Sequence, residues 1–285
     1  MISFGMPTLI EFPNLEDCAS LAYELGLQFI ELNMNLPQYQ PQTLDVSRLA
    51  HIADRYDIFY TLHLDENLNV ADFNPYIAQG YLKTVLDSIR LAKKLRIKVL
   101  NMHLSRGVHF TLPERKVFLF DVYREAYQNS ICAFRDTCER EVGNCDIQLC
   151  VENCSGYTDF QRDAIDFLLQ SPVFGLTFDV GHHFCAGGVD ELFIRSHIDR
   201  LRHIHLHDAA GGHDHLALGS GEVDVPSVLD LSRTYRCTTV LETKTIAALR
   251  ASATYLNGSF FDHDLKRLEE YNHDKGHHLY PRTDP

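Results

Sequence analysis

The residues of this chain best suited to chemistry are gathered in stretch 201–224, LRHIHLHDAAGGHDHLALGSGEVD, which holds five histidines: His203, His205, His207, His213 and His215. In HIHLH, histidine alternates with an apolar residue, the two-residue period of a strand. On such a strand His203, His205 and His207 face one way, and Ile204 and Leu206 the other. The Gly-rich half that follows reads as a loop. A strand with one imidazole face, followed by a loop with two more histidines, makes a poor apolar core and a good metal site.

Five further runs, IFYTLHL, KVLNMHL, IQLCVEN, FGLTFDV and TTVLET, each carry one metal-capable side chain near their ends: His63, His103, Glu152, Asp179 and Glu242. Neutral imidazole and carboxylate are the ordinary ligands of Zn2+ and Mn2+. Taken singly, each of these residues reads as a hydrogen-bonded side chain, a helix cap or a rim ion pair. Taken together they point to a divalent ion, because burying so many carboxylates without a cation is costly. If Glu152 bridges, His63 and His103 complete one site, and Asp179, His205 and Glu242 a second. His182, with His213 and His215, could hold a third ion. His183, His203 and His207 read as packing, deeper-lying, and loop or supporting residues respectively. Cys154 and Cys185 read as inert thiols. Gly219-Ser220-Gly221 reads as an ordinary turn before Pro226 rather than a phosphate cradle.

These residues need a frame that brings them to one place. Short apolar strands recur along the chain, each followed by a longer amphipathic segment, which argues for parallel strands with helical crossovers. Strands are expected at 2–9, in LQFIELNM, in the five runs above and in HIHLH. Helices are expected at 14–25, 45–56, 75–95, 111–141, 159–169, 189–198, briefly from Pro226, and at 245–256. Eight strand–helix units make an α/β fold, a single (β/α)8 barrel over residues 1–258. Residues 259–285 form a C-terminal extension with one helix at 262–271. Active-site groups of such a barrel sit at the C-terminal ends of its strands, where six successive strands here place His63, His103, Glu152, Asp179, His205 and Glu242.

Composition narrows the function. At 285 residues, 45% hydrophobic and 23% charged, the chain can build one sizeable core. No apolar run approaches a membrane span. The net charge of −13 disfavours a nucleic-acid surface, which needs clustered Lys and Arg. The N-terminus lacks a basic start and a cleavage site, so it reads as a first strand. Eight cysteines without a CxxC spacing read as reduced thiols in a cytoplasm. A small-molecule substrate is expected, and a homo-oligomer stays open.

The strand-2 IEL, strand-5 VEN, strand-6 FDVGH, strand-7 HLHD followed by DHLALGSGEVD, and strand-8 VLET together resemble the xylose isomerase-like TIM-barrel superfamily. That group contains sugar epimerases related to tagatose and psicose 3-epimerase, and endonuclease IV. The resemblance spans about residues 2–256. In the epimerases one Mn2+-type ion is held by a Glu, an Asp, a His and a Glu, whose counterparts here are Glu152, Asp179, His205 and Glu242. The two glutamates also act there as the acid–base pair that moves a proton beside the sugar carbonyl. The resemblance thus implies catalytic Glu152 and Glu242, with Asn153, His182 and Lys244 expected to bind substrate. Endonuclease IV holds three zinc ions, and His63, His103, Glu152, Asp179, His182, His205, His215 and Glu242 look like counterparts of that set. The chain departs from it at His213, where the nuclease has an aspartate, and in LDENLNV after strand 3. The first expectation is a metal-dependent isomerase or epimerase of a sugar or sugar phosphate. The alternative is a multinuclear zinc hydrolase cleaving a phosphodiester in a small metabolite rather than duplex DNA. A non-catalytic metal- or ligand-binding barrel is the third class.

Overall fold

The computed structural model describes residues 2–258. The expected extension 259–285 and its helix lie outside the described residues. Eight parallel strands close into a barrel in sequence order: β1 (Ser3–Pro7), β2 (Phe29–Asn33), β3 (Phe59–His63), β4 (Val99–His103), β5 (Gln148–Glu152), β6 (Phe174–Asp179), β7 (Leu201–Leu206) and β8 (Thr238–Leu241). β8 closes the ring on β1, with Ser3 opposite Thr238 and Gly5 opposite Val240. Gly5 is required there, because a Cβ would stand 2.4 Å from the Phe29 ring. The single (β/α)8 barrel expected from the sequence is therefore the fold.

The helices follow the local chemistry. α1 (Leu15–Glu24) begins where the Asn14 side chain accepts the Asp17 N–H. α2 (Val46–Tyr56) begins at Asp45, which accepts from Ser47 and Arg48, and ends in a left-handed Asp57. α3 (Pro75–Leu95) has an Asn74 cap and a first-turn proline. A Thr158–Gln161 capping box opens α5 (Asp159–Leu168). Ile204 and Leu206 point outward from β7 into the buried layer between barrel and helices, as their alternation requires.

Three expectations are corrected. Residues 111–141 are not one helix. His109–Thr111 and Lys116–Phe118 pair as an antiparallel hairpin, closed by the Leu112 N–H on the Arg115 carbonyl around Pro113. A single helical turn (Leu119–Val122) then leads to α4 (Arg124–Val142). Pro113 suits the turn because its ring presets φ. After β6, α6 (Val180–Cys185) starts at once, and α7 (Glu191–Ser196) follows only after Gly187 and Gly188, both with positive φ. α8 (Val225–Tyr235) is a full helix, and α9 covers 246–258. The loop after β7 carries a hairpin, Asp208–Ala210 against His213–Leu216. The eight cysteines are unpaired. Among the described residues no helix is long and apolar enough to cross a membrane.

Candidate metal centre

Strand register sets the site. Asp179 on β6 and Val240 on β8 both lie opposite His205, and His103 lies opposite Glu152. Glu152 lies opposite Thr177, two residues before Asp179, so five neighbouring strands, β4 to β8, bring their ends to the same mouth of the barrel. The Nδ1 of the fully buried His205 stands 3.2 Å from Glu242 Oε2, 3.5 Å from Glu152 Oε1 and 3.7 Å from Asp179 Oδ2. His205 Nδ1, Glu242 Oε2 and His182 Nδ1 are buried without a hydrogen-bond partner. Burial opposes ionisation of the carboxylates, but His205 outweighs it and holds Glu152 and Glu242 well below the usual carboxylate range. Burial likewise opposes ionisation of Asp179, and His207 holds that carboxylate down. Three buried anions around one imidazole nitrogen are costly unless a cation joins them. One nitrogen and three carboxylate oxygens with orphaned atoms fit a divalent ion such as Mn2+ or Zn2+.

Glu152 faces two ways. While Oε1 faces His205, Oε2 lies 3.1 Å from His103 Nε2 and 3.5 Å from His63 Nε2, and accepts the Asn101 amide. Its two oxygens thus face different histidines, Oε1 toward His205 and Oε2 toward His63 and His103. His63 Nδ1 is 2.8 Å from the Leu64 carbonyl, which directs Nε2 to Glu152. Burial alone would lower the His63 pKa, but the Glu152 hydrogen bond and charge raise it to about 9. Cys154 lies beside His103 and Glu152, and burial pushes its pKa well above the ordinary thiol value, so it stays a neutral thiol.

A second group adjoins the first. His182, His207 and His215 bring ring nitrogens within 4.8 Å of one another. His182 Nδ1 is 3.8 Å from both Glu152 Oε1 and Asp179 Oδ2, and its Nε2 is 3.5 Å from Asp214 Oδ2. His207 Nε2 is 3.0 and 3.1 Å from the two Asp179 oxygens, and its Nδ1 accepts the His215 N–H at 2.8 Å. Those bonds place the His207 proton on Nε2. Gly181 is obligatory, since a Cβ there would stand 2.0 Å from the His207 ring.

Of the expected ligands, Glu152, Asp179, His205, Glu242, His63, His103, His182 and His215 gather here. His213 does not: it is exposed, and Asp214 turns inward in its place. The cause is His215, whose φ of 53° breaks strand alternation in the hairpin. Asn153 uses both polar ends on the backbone of Asp179, accepting its N–H at 2.9 Å and donating to its carbonyl at 2.8 Å. It holds the backbone of Asp179 rather than facing the site, which corrects the expectation of a substrate contact. Lys244 is exposed, with Nζ 2.8 Å from Glu242 Oε1.

Sequence reasoning missed Glu31. Its buried carboxylate lies 3.0 Å from His205 Nε2 through Oε1 and 3.0 Å from His203 Nε2 through Oε2. The signal was an acid inside the apolar run FIELN, where only an inward pair would tolerate it. A cavity of about 310 Å3 opens beside Glu242 between β1, β2 and β8. A larger cavity of about 670 Å3, lined by His183 and the flanks of α7 and α8, lies outside the barrel and touches no candidate ligand.

Residues 19–257 match the family model described as xylose isomerase-like TIM barrel. The uncharacterized protein MJ1188 of Methanocaldococcus jannaschii is 24% identical over 235 residues, covering 79% of this chain and 81% of that protein. A solved D-tagatose 3-epimerase-like protein superposes with a TM-score of 0.75 at 21% identity, over 93% of this chain and 99% of that one. D-psicose 3-epimerase of Clostridium cellulolyticum H10 gives 0.66 at 15% identity, over 91% and 99%. The probable 3-DHS dehydratase AsbF of Bacillus anthracis gives 0.69 at 12% identity, over 90% and 99%. At these identities the likenesses are of fold.

Proposed function

This chain belongs to the xylose isomerase-like TIM-barrel family, and from that premise we propose that it is a divalent-metal-dependent isomerase or epimerase of a sugar or sugar phosphate. The observation that carries the reading is the pair Glu152 and Glu242, whose oxygens stand 3.5 and 3.2 Å from the same nitrogen of His205. Glu152, Asp179, His205 and Glu242 would hold the ion. When bound, the ion supplies polarisation of the sugar carbonyl and its neighbouring hydroxyl. One glutamate then takes the proton from the carbon beside the carbonyl, and the other returns a proton to it. Lys244 steadies Glu242 through Oε1, and His182, facing both Glu152 and Asp179, is placed to orient a substrate hydroxyl. The likeness to a D-tagatose 3-epimerase-like protein and to D-psicose 3-epimerase supports the same chemistry. Unpaired cysteines suit a reducing cytoplasm.

In D2O, wild type is expected to wash solvent deuterium into a ketose substrate. Glu152→Gln should slow that exchange by roughly 10²–10⁴-fold. A wild type that exchanges nothing across a ketose panel overturns the reading.

One observation favours a second reading. His182, His215 and the His63–His103 side of Glu152 offer more donors than one ion takes. A multinuclear zinc hydrolase would use them to activate water and steady the leaving oxygen of a small phosphodiester. Metal analysis separates the two: one ion per chain supports the isomerase, and two or three zinc ions support the hydrolase.

A further inference from the structure

The helix ring around the barrel is thin at one place. The crossover from β6 to β7 carries only α6 and α7, six residues each, parted by Gly187 and Gly188. The crossovers on either side carry α5 and α8, of ten and eleven residues. The consequence shows on the strand beneath. Outward side chains of β2 to β5, such as Ile30, Leu62, Met102 and Val151, are buried, whereas Phe178, outward on β6, is only half-buried. Phe178 lines the groove of about 670 Å3 between α7 and α8, together with Phe184, Ile198, Val228 and Leu231. Of these, Phe184, Ile198 and Leu231 are also half-buried. An apolar groove of this size marks a surface that something covers.

The chain itself continues toward it. Each helix runs back against its strand, so α9 delivers Gly258 to the end of the barrel where the strands begin. The groove reaches the same end: Ile198 lies just before β7, and Leu231 and Thr234 lie in the last turns of α8. α8 is the crossover between β7 and β8, so it is the one helix that separates Gly258 from the groove. From Gly258 to Leu265 an extended chain spans up to roughly 23 Å, about twice the width of a helix. The sequence after Gly258, SFFDHDLKRLEEY, sets Phe261, Leu265 and Leu268 at the i, i+4, i+7 spacing of one apolar helix face, with Lys266, Arg267, Glu269 and Glu270 on the other sides. Such a face needs a partner to bury it, and a short tether presents it to the groove at an effective concentration on the order of millimolar.

We propose that residues 260–271 dock as a helix in the groove between α7 and α8, seating Phe261, Leu265 and Leu268 on its apolar lining and completing the helix ring. The test is hydrogen exchange of the full chain, read peptide by peptide by mass spectrometry. Leu265→Asp combined with Leu268→Asp should make the amides of α7 and α8 exchange at least about tenfold faster, while those of α2, across the barrel, stay unchanged. Leu231→Asp, on the groove side, should by the same coupling speed exchange across 260–271. Unchanged exchange of α7 and α8 in the Leu265/Leu268 variant overturns the proposal. So does faster exchange that spreads equally to α2. Protection of α7 and α8 that falls on dilution of the wild type, with a dimer in sedimentation, gives the groove to a second copy and also overturns it.

Discussion

His203 and His205 project from the same face of β7, two residues apart, both fully buried and both 3.0 Å from Glu31 through Nε2. Their other nitrogens differ. His203 Nδ1 sits 2.6 Å from Thr238 Oγ1, and Glu31 Oε2 is also 3.2 Å from Thr61 Oγ1, so the lower layer of the barrel closes on itself. His205 Nδ1 has no hydrogen bond and faces three carboxylates. Burial holds His203 below its ordinary pKa despite Glu31, whereas around His205 burial is outweighed by Glu152 and Glu242, which raise it. A buried histidine whose partners are all in the chain is structural. One left open toward anions is arranged for something the chain does not itself supply.

The widest gap between the layers should appear in catalysis. Glu242→Gln is expected to slow solvent-deuterium exchange by roughly 10²–10⁴-fold, while Thr238→Val in the lower layer changes it little. Next comes the histidine pair itself. His205→Ala should leave the purified protein without its ion by elemental analysis. His203→Ala should keep the ion but cost about 3–5 kcal/mol in denaturant unfolding, because Glu31 loses a buried partner. If His203→Ala also empties the site, the two layers are one unit.

Chelation probes the upper layer alone. Removing an ion held at 100 times its Kd should cost about 2.7 kcal/mol of stability, read as a lower Tm. In the chelated protein His63 then reports on Glu152. A histidine raised to about 9 stabilises fully below its ordinary value near 6.5, and this is lost as pH rises through the folded value. The Tm of the chelated protein should therefore fall between pH 6.5 and 9, and a flat profile would separate His63 from Glu152. The smallest effect is at the rim: His213→Ala should leave metal content unchanged, whereas Asp214→Ala, next to His182, should weaken it measurably.

The barrel was legible because each strand announces itself by apolar period and each of α1, α2 and α3 by a capping Asn or Asp. The convergence of the candidate ligands was legible because a barrel sends strand ends to one face. What stayed hidden depends on three-dimensional pairing. Glu31 looked like one acid in a strand until β7 placed two histidines against it. His213 and Asp214 exchanged roles because a single left-handed residue, His215, inverts the alternation. Asn153 sits beside Glu152 in sequence, yet alternation turns it away from the ligands and onto the backbone of Asp179. The hairpin at 109–118 was hidden by its own shortness, three residues to a strand.

The central claim is best tested by crystallising the protein with Mn2+ and locating anomalous scattering at the manganese edge. One peak in bonding range of Glu152, Asp179, Glu242 and the Nδ1 of His205 is the predicted result. A peak between Glu31 and His203, or none at the ends of β5 to β8, would contradict it.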